Sequence, residues 1–414
     1  MADAVLPLRV LLVSQYFWPE GFYINAVARH LAARGHLVEV LTGKPNYPAG
    51  RFFPGYRGGG CQEETYHGVR VHRLPMLARG HGALRLAANY LSFVFSGLLF
   101  GPWRLRRKPC DVIFVYAPSP ILQALPAIFL GWLKRRPVVL WVQDLWPESL
   151  SATGYIRNPV VLSLVARVVR FIYRHVDLLL VQSKAFRDAV GPMASSTPVL
   201  YYPNSVEDVF DGEAAQAPLP VPGVMDGFCI LFAGNIGSAQ AVEVILEAAE
   251  RLTDLPEVRF VVVGDGSRRD WMLAEVARRG LGNVVLPGRF PVENMPAFMA
   301  RAEALLVTLS DRPIFRQTVP SKVQSYLAAG RPILASLNGE GAELVVEAGA
   351  GLCSPAEDGR GLAENVRRLY AMSPEQRAAL GANGRRHYER HFALDVLMDE
   401  LVGHLGTAGV SGKK

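Results

Sequence analysis

The chain has 414 residues, 50% of them hydrophobic and 20% charged, which is length for two ordinary domains and too apolar for a disordered protein. Its four cysteines stand at positions 61, 110, 229 and 353, too far apart for a CxxC motif and too few for a disulfide scaffold, so a reducing cytosol is expected. Charge is uneven: residues 1–204 carry 23 Lys+Arg against 10 Asp+Glu, the remainder 21 against 27. A basic half excludes little by itself, because nucleic acid, an anionic membrane surface and a phosphorylated substrate all attract it.

The opening MADAVLPLRVLLVSQ has an acid at position 3 and only a short apolar run, so no secretory signal is expected. RVLLV at 9–13, a helix from about Phe22 to Arg34 stopped by Gly35, and LVEVL at 37–41 predict a βαβ start. Residues 86–103 (LAANYLSFVFSGLLFGPW) hold no charge and are followed by Arg104, Arg106, Arg107 and Lys108. That length reaches the lower limit for a membrane span. Asn89, Ser92, Ser96, Gly97 and Gly101 dilute the run, however, and Pro102 is expected to end the helix. In-plane or partial insertion, a core helix and a true span stay open.

DVIFVY (111–116), PVVLWV (137–142) and DLLLVQ (177–182) read as buried parallel strands separated by helices. Lys134-Arg135-Arg136 follows an apolar stretch, and in residues 155–175 Arg167, Arg170 and Arg174 recur at steps of three and four among aliphatics. Such a stripe fits a membrane-lying helix or a core helix with solvated arginines. No helix-turn-helix, zinc-finger or RNP-like pattern is present, so nucleic acid is not an expected partner.

The first domain is predicted to close at Asn204, with 205–227, rich in Pro, Ala and Gly, as a linker. A second alternation follows: CILFA (229–233), VRFVVV (258–263), NVVLP (283–287), ALLVTL (304–309), RPILAS (331–336) and GLCS (351–354), with a helix at 241–252. This gives an α/β protein of two doubly wound Rossmann-like domains, 1–204 and 228–375, followed by helices over 376–414 expected to pack back on the first domain. Such folds bind ligands in a cleft at the carboxyl ends of the strands.

Gly234-Asn235-Ile236-Gly237 after CILFA places glycines at a strand-to-helix turn, where backbone amides and the helix terminus can receive an anion. Gly264-Asp265-Gly266 is a second such turn, and neither completes a GxGxxG fingerprint. In Arg316-Gln317-Thr318-Val319-Pro320-Ser321-Lys322, Pro320 and Ser321 suit helix entry. Lys322 in the first turn opposes the helix dipole unless an anion sits there.

The ordered run FAGNIG, VEVILEAAERL, VVVGDGS, VVLPGRF and SYLAAGRPI resembles the retaining glycosyltransferases of family 4, which have the GT-B fold. QYFWPEG, LTGKPNYPAG and WVQDLWPES resemble the narrower L-fucosamine-type transferases of bacterial O-antigen, capsule and colanic acid synthesis. The resemblance implies a nucleotide-sugar donor, most often UDP-linked, on the second domain. It implies a polyprenyl-diphosphate-linked acceptor on the first, at the cytoplasmic face of the membrane, where the protein would be peripheral or monotopic. The nucleotide sugar is a substrate, and neither cofactor nor metal is expected.

By the same resemblance the donor would meet Gly21, Gly234, Asn235, Gly237, Gly264, Gly288, Arg289, Arg316, Gln317, Pro320, Ser321, Lys322 and Ser325. The acceptor would meet Glu20, Gly21, Asn46, Tyr47 and Asp144, with Asp144 and Lys322 as catalytic candidates. Two departures stand out. The family's paired acids fall on Gln317 and Ser325, and its Arg and Lys after the first glycine fall on Asn235 and Gln240. The diphosphate charge must then be met by Lys322 first, with Arg316, Arg312 or Arg289 in reserve. Two rivals to a transferase are a sugar-nucleotide 2-epimerase and a non-catalytic nucleotide-sugar-binding subunit.

Overall fold

The computed structural model describes residues 7–80, 82–152, 158–206 and 213–411. The chain divides into two compact units, one of residues 1–203 with 397–414, the other of residues 204–396.

The first unit is built on eight strands in the order β3-β4-β2-β1-β5-β6-β7-β8. These are β1 (Arg9–Val13), β2 (Leu37–Thr42), β3 (Gln62–Tyr66), β4 (Val69–Arg73), β5 (Val112–Ala117), β6 (Val138–Val142), β7 (Leu178–Val181) and β8 (Val199–Tyr201). All neighbours pair in parallel except β3, which runs antiparallel to β4. β5 and β6 are buried at every position, as strands covered by helices on both faces must be. The covering helices are α1 (Ile24–Ala33), α2 (Ala83–Leu105), α3 (Ala124–Lys134), the short α4 (Glu148–Ala152), α5 (Pro159–Arg174) and α6 (Lys184–Ala194).

Pro102 does not end α2, which continues to Leu105. A proline removes one bond to the preceding turn and leaves the residues after it free to stay helical. Most residues that dilute the apolar run lie on the inward face, beside Tyr90, Phe93, Val94 and Leu105. Asn89, Ser96, Gly97 and Gly101 are buried, and a Cβ on Gly97 would press on Pro126 of α3 at 2.7 Å. Small residues let the two helices approach closely.

The second unit has six parallel strands in the order β11-β10-β9-β12-β13-β14. They are β9 (Phe228–Ala233), β10 (Val258–Val263), β11 (Val284–Gly288), β12 (Ala304–Thr308), β13 (Ile333–Ser336) and β14 (Gly351–Ser354). Alternate residues of β9 feed two cores: Cys229, Leu231 and Ala233 on one face, Phe228, Ile230 and Phe232 on the other.

The described part of 205–227 is more than a linker. Glu213–Gln216 is helical, and Val224 and Met225 are buried in the core with Val206, Leu219 and Val221 packed against it. Residues 207–212 lie outside the described residues. The second unit also runs to Val396, beyond the expected close at 375. The helix Pro374–His391 packs along the helix Ser321–Ala329, and Arg385 Nη1 donates to Ala328 O at 2.7 Å. Most of the next helix, Leu394–Ser411, clusters with the first unit, where Tyr202 donates to Leu397 O at 2.9 Å.

Candidate functional site

In the second unit the two glycine turns are stitched to each other. Gly234 N donates to Val263 O, Ile236 N to Asp265 O, and Gly264 N to Gly288 O, all between 2.8 and 2.9 Å. Gly234, Gly264 and Gly288 have φ of 138°, 149° and 102°, which L side chains rarely adopt. A Cβ on Gly264 would overlap the Gly234 carbonyl oxygen, and one on Gly237 would meet Asn235 Nδ2 at 2.7 Å. The ends of β9, β10 and β11 therefore lie backbone to backbone. Gly234, Asn235, Gly264, Asp265 and Arg289 line one open cleft. Arg289 is exposed and makes no ion pair among the described residues.

The turn after β9 is not the direct strand-to-helix entry expected. A single 3-10 turn, Ser238–Gln240, intervenes. The helix then starts at Glu243, whose carboxylate pairs with Arg268. Asn235 Nδ2 donates to Gln240 Oε1 at 3.2 Å, so the two residues standing where the family has cations bind each other.

Lys322 sits in the first turn of the helix Ser321–Ala329, whose N-cap Pro320 supplies no side-chain acceptor. Its ammonium lies 3.7 Å from the centroid of the Phe232 ring. A Cβ on Gly234 would strike Lys322 Cε at 2.7 Å, so glycine there admits the lysine. Nζ is shielded from solvent with no hydrogen-bond partner among the described residues, and burial pulls its pKa down to about 7. The lysine is thus not a solvated surface group.

The remaining donor candidates are placed less favourably. Arg316, expected as a diphosphate cation, is held by Asp311 through two bonds of 2.8 Å. Ser325 Oγ donates to Ser321 O at 3.1 Å, inside its own helix. Gln317 ends the short helix Pro313–Arg316. Sequence reasoning missed the Asp311 pairing, which is local, because a separation of five is not a helical side-chain spacing.

The first unit holds a pocket of about 460 Å³. Its aromatic wall is Tyr16, Phe22, Tyr47, Tyr90 and Trp146, and its polar groups include Arg79, Ser149 and Asp144. Tyr16 stacks on Phe22 with centroids 4.9 Å apart, and Arg79 lies over the Tyr47 ring at 5.2 Å. Burial raises the Asp144 pKa to about 6, opposed by the neighbouring Ser149, Trp146 and Leu145 amide. Asp144 therefore presents a titratable carboxyl to the pocket.

Glu20 and Asn46 build this pocket from behind. Glu20 Oε1 accepts the amides of Asn46 and Tyr47, each at 2.7 Å, and burial raises its pKa to about 7. Asn46 is buried, donating to Lys44 O and accepting the Arg79 amide at 2.9 Å. Both act by holding Tyr47 and Arg79 in place. A Cβ on Gly21 would meet nothing within 4 Å, so packing does not demand glycine there. Tyr16, Arg79, Tyr90 and Trp146 escaped sequence reading because no local pattern joins residues that distant. No group of three metal-ligating side chains occurs among the described residues.

Two family models match the chain: "Glycosyl transferase 4-like domain" over residues 21–204 and "Glycosyl transferases group 1" over 227–372. The protein is a glycosyltransferase of the GT-B type.

Its similarity to WcaI of Escherichia coli (strain K12), provisionally named a colanic acid biosynthesis glycosyl transferase, is 26% identity over 350 residues, 78% of this chain and 82% of that one. A glycogen synthase of Mycobacterium tuberculosis is 24% identical over 389 residues, 87% of this chain and 85% of its own. In fold the chain resembles the sucrose-phosphate synthase of Thermosynechococcus elongatus, with a TM-score of 0.75 at 18% identity, covering 98% of this chain and 100% of the other. It also resembles Alr3699/HepE of Anabaena, solved with UDP and glucose, with a TM-score of 0.65 at 16% identity over 96% and 99%. The GT-B glycosyltransferase thus carries the two-domain α/β architecture expected from its sequence.

Proposed function

We propose that this glycosyltransferase is a retaining enzyme of family 4. It moves an amino sugar of the N-acetyl-L-fucosamine kind from a UDP-linked donor to a polyprenyl-diphosphate-linked saccharide, in bacterial surface polysaccharide synthesis. The similarity to a colanic-acid transferase supports the pathway class.

The observation that carries the lipid-linked acceptor is the apolar outer face of α2. Its inward face mixes Asn89, Ser96, Gly97 and Gly101 with Tyr90, Phe93, Val94 and Leu105, while Leu91, Phe95, Leu99 and Trp103, spaced by four, are 47%, 67%, 70% and 60% exposed. The outer face of a soluble amphipathic helix is polar instead. Trp132 and Leu133 of α3 and Val160, Leu164 and Phe171 of α5 extend this apolar exposure. Arg167, Arg170 and Arg174 are exposed beside it, although residues 155–157 of the expected stripe lie outside the described residues. Each leucine or phenylalanine withdrawn from water contributes about 2 kcal/mol, and arginines beside them add attraction to anionic lipid. The enzyme then works as a peripheral or monotopic protein on the cytoplasmic face of the membrane.

In this reading the donor diphosphate is received at the Gly234 and Gly264 turns, where Lys322 and Arg289 stabilise the charge that develops as it leaves. The acceptor hydroxyl attacks from the same face and passes its proton to a departing phosphate oxygen. Asp144 accepts a hydrogen bond from the acceptor and so orients it. Incubating detergent-solubilised enzyme with UDP-N-acetyl-L-fucosamine and polyprenyl-diphosphate-linked N-acetylglucosamine tests this. The lipid product should gain the mass of one sugar.

A further inference from the structure

The pocket of the first unit has a second wall that the sugar chemistry does not use. Leu86 and Leu91 of α2, Leu122 before α3, Leu150 of α4 and Val165 of α5 give it an aliphatic side. Two of these helices, α2 and α5, also carry the exposed apolar face, so the aliphatic wall is continuous with the surface assigned to the bilayer. Leu91 belongs to both, lining the pocket while 47% exposed. Against this wall stands one cation. The Arg79 guanidinium makes no ion pair among the described residues and rests on the Tyr47 ring, 5.2 Å from its centroid. Its backbone amide is fixed by Asn46 Oδ1, which Glu20 in turn positions through the Asn46 amide.

An aliphatic wall opening on a membrane face, with an unpaired guanidinium over an aromatic ring, suits a ligand that is apolar along its length and doubly anionic at its head. A free sugar would leave the leucines unpaired with anything apolar, and an acyl chain without a charged head would leave Arg79 unmatched.

We infer that this pocket binds the diphosphate-proximal isoprene units of the acceptor's lipid carrier. The chain enters between α2 and α5, with Arg79 on the diphosphate. This rests on the reading of the acceptor as lipid-linked and adds to it the residues that select the lipid. Arg79 is then a specificity-determining residue, and the carrier's head is set beside Asp144 in the same pocket.

The test uses the full chain and a diazirine-bearing farnesyl diphosphate as photolabel, with cross-linked peptides mapped by mass spectrometry. Labelling is expected in the segments that line the pocket, 83–91, 118–122 and 144–150. Farnesyl diphosphate should displace the label, with farnesol and pyrophosphate each weaker by roughly tenfold or more, since one lacks the charge and the other the chain. Arg79→Gln should erase the preference for farnesyl diphosphate over farnesol. Ala87→Trp, which fills the pocket, should abolish labelling and leave UDP binding by the second unit unchanged. Label confined to other segments, or displaced equally well by farnesol, overturns the inference. If lipid-linked acceptor is glycosylated while the pocket stays unlabelled, the pocket assignment fails and the transferase reading stands. If the pocket is labelled and no lipid-linked acceptor is glycosylated, the assignment holds and that reading fails.

Discussion

The ammonium of Lys322 lies 3.7 Å from the centroid of the Phe232 ring and meets no hydrogen-bond acceptor among the described residues. A buried lysine without an acceptor loses hydration that a ring face only partly replaces. The arrangement is explained if the missing partner is the diphosphate of the donor.

That explanation fixes a proton balance. Burial holds the Lys322 pKa near about 7, below the ordinary 10.5. Folding stability of the free enzyme should therefore rise with pH between those values, because the unfolded chain binds the extra proton there. A bound diphosphate restores the proton, so UDP binding at pH 8 should take up close to one, about 0.9. Calorimetry in buffers of different ionisation enthalpy measures it directly. Lys322→Met should remove the uptake, weaken UDP binding by roughly 10- to 100-fold, and raise the melting temperature at pH 7. Unchanged UDP affinity in this variant would mean the lysine serves packing alone.

Asp144 gives the opposite sign. Its pKa is raised to about 6, so the carboxylate costs stability as pH climbs from about 4 to 6. At pH 7.5 Asp144→Asn should melt higher, by up to about 3 kcal/mol if the full shift is expressed. The same variant should lower kcat by roughly 100-fold and remove an acid limb in kcat/KM centred near pH 6. A variant that melts higher and keeps its acid limb would place the titrating group elsewhere.

Gly264→Ala tests the stitched turns. The added Cβ would overlap the Gly234 carbonyl oxygen at a φ of 149°. A loss of about 3 kcal/mol or more is expected, together with loss of UDP binding. Gly21→Ala, with nothing within 4 Å, should melt like the parent protein. Thermal unfolding of the pair decides whether close backbone approach is the reason for glycine in the donor turns.

The proposed membrane contact is tested on α2. Phe95→Ser with Leu99→Ser alters side chains 67% and 70% exposed, so the melting temperature should hold. Flotation with vesicles containing anionic phospholipid should drop by roughly tenfold or more, since two apolar side chains no longer partition. Equal flotation of parent and double variant would locate membrane contact on another surface.

How far the sequence could be read follows from which forces are local. β1, α1 and β2 were legible because the continuous apolar run RVLLV gives way to spacing near 3.6 and then, after Gly35, to LVEVL. The β3–β4 hairpin was not predicted, although His67 and Gly68 at its tip have φ of 45° and 82° and supply the left-handed pair such turns require. Its strand QEETY is polar, held instead by the Glu64–Arg73 pair at 2.8 Å around a fully buried guanidinium. That pair joins residues nine apart through a turn, and no periodicity announces it.

At the site, the glycine turns were legible because backbone conformation is written in single residues. The fates of Arg316, Asn46 and Glu20 were not. Glu20 and Asn46 are decided by partners brought in by the fold, the 46–47 amides and the Arg79 amide, and Arg316 by Asp311 across a local loop whose spacing of five matches no helical pattern. Likewise Asn89, Gly97 and Gly101 read as dilution of an apolar helix, but they lie on its inner face, the glycines against α3 and Asn89 on Gln15 and Leu77 O.

The most direct test of the central claim is the mass of the lipid product formed by solubilised enzyme from UDP-N-acetyl-L-fucosamine and polyprenyl-diphosphate-linked N-acetylglucosamine. The account predicts a gain of one amino-sugar residue, in the anomeric configuration of the donor, that is lost in Lys322→Met. UDP binding with no product on any lipid-linked acceptor, or conversion of the donor sugar without an acceptor, would contradict it.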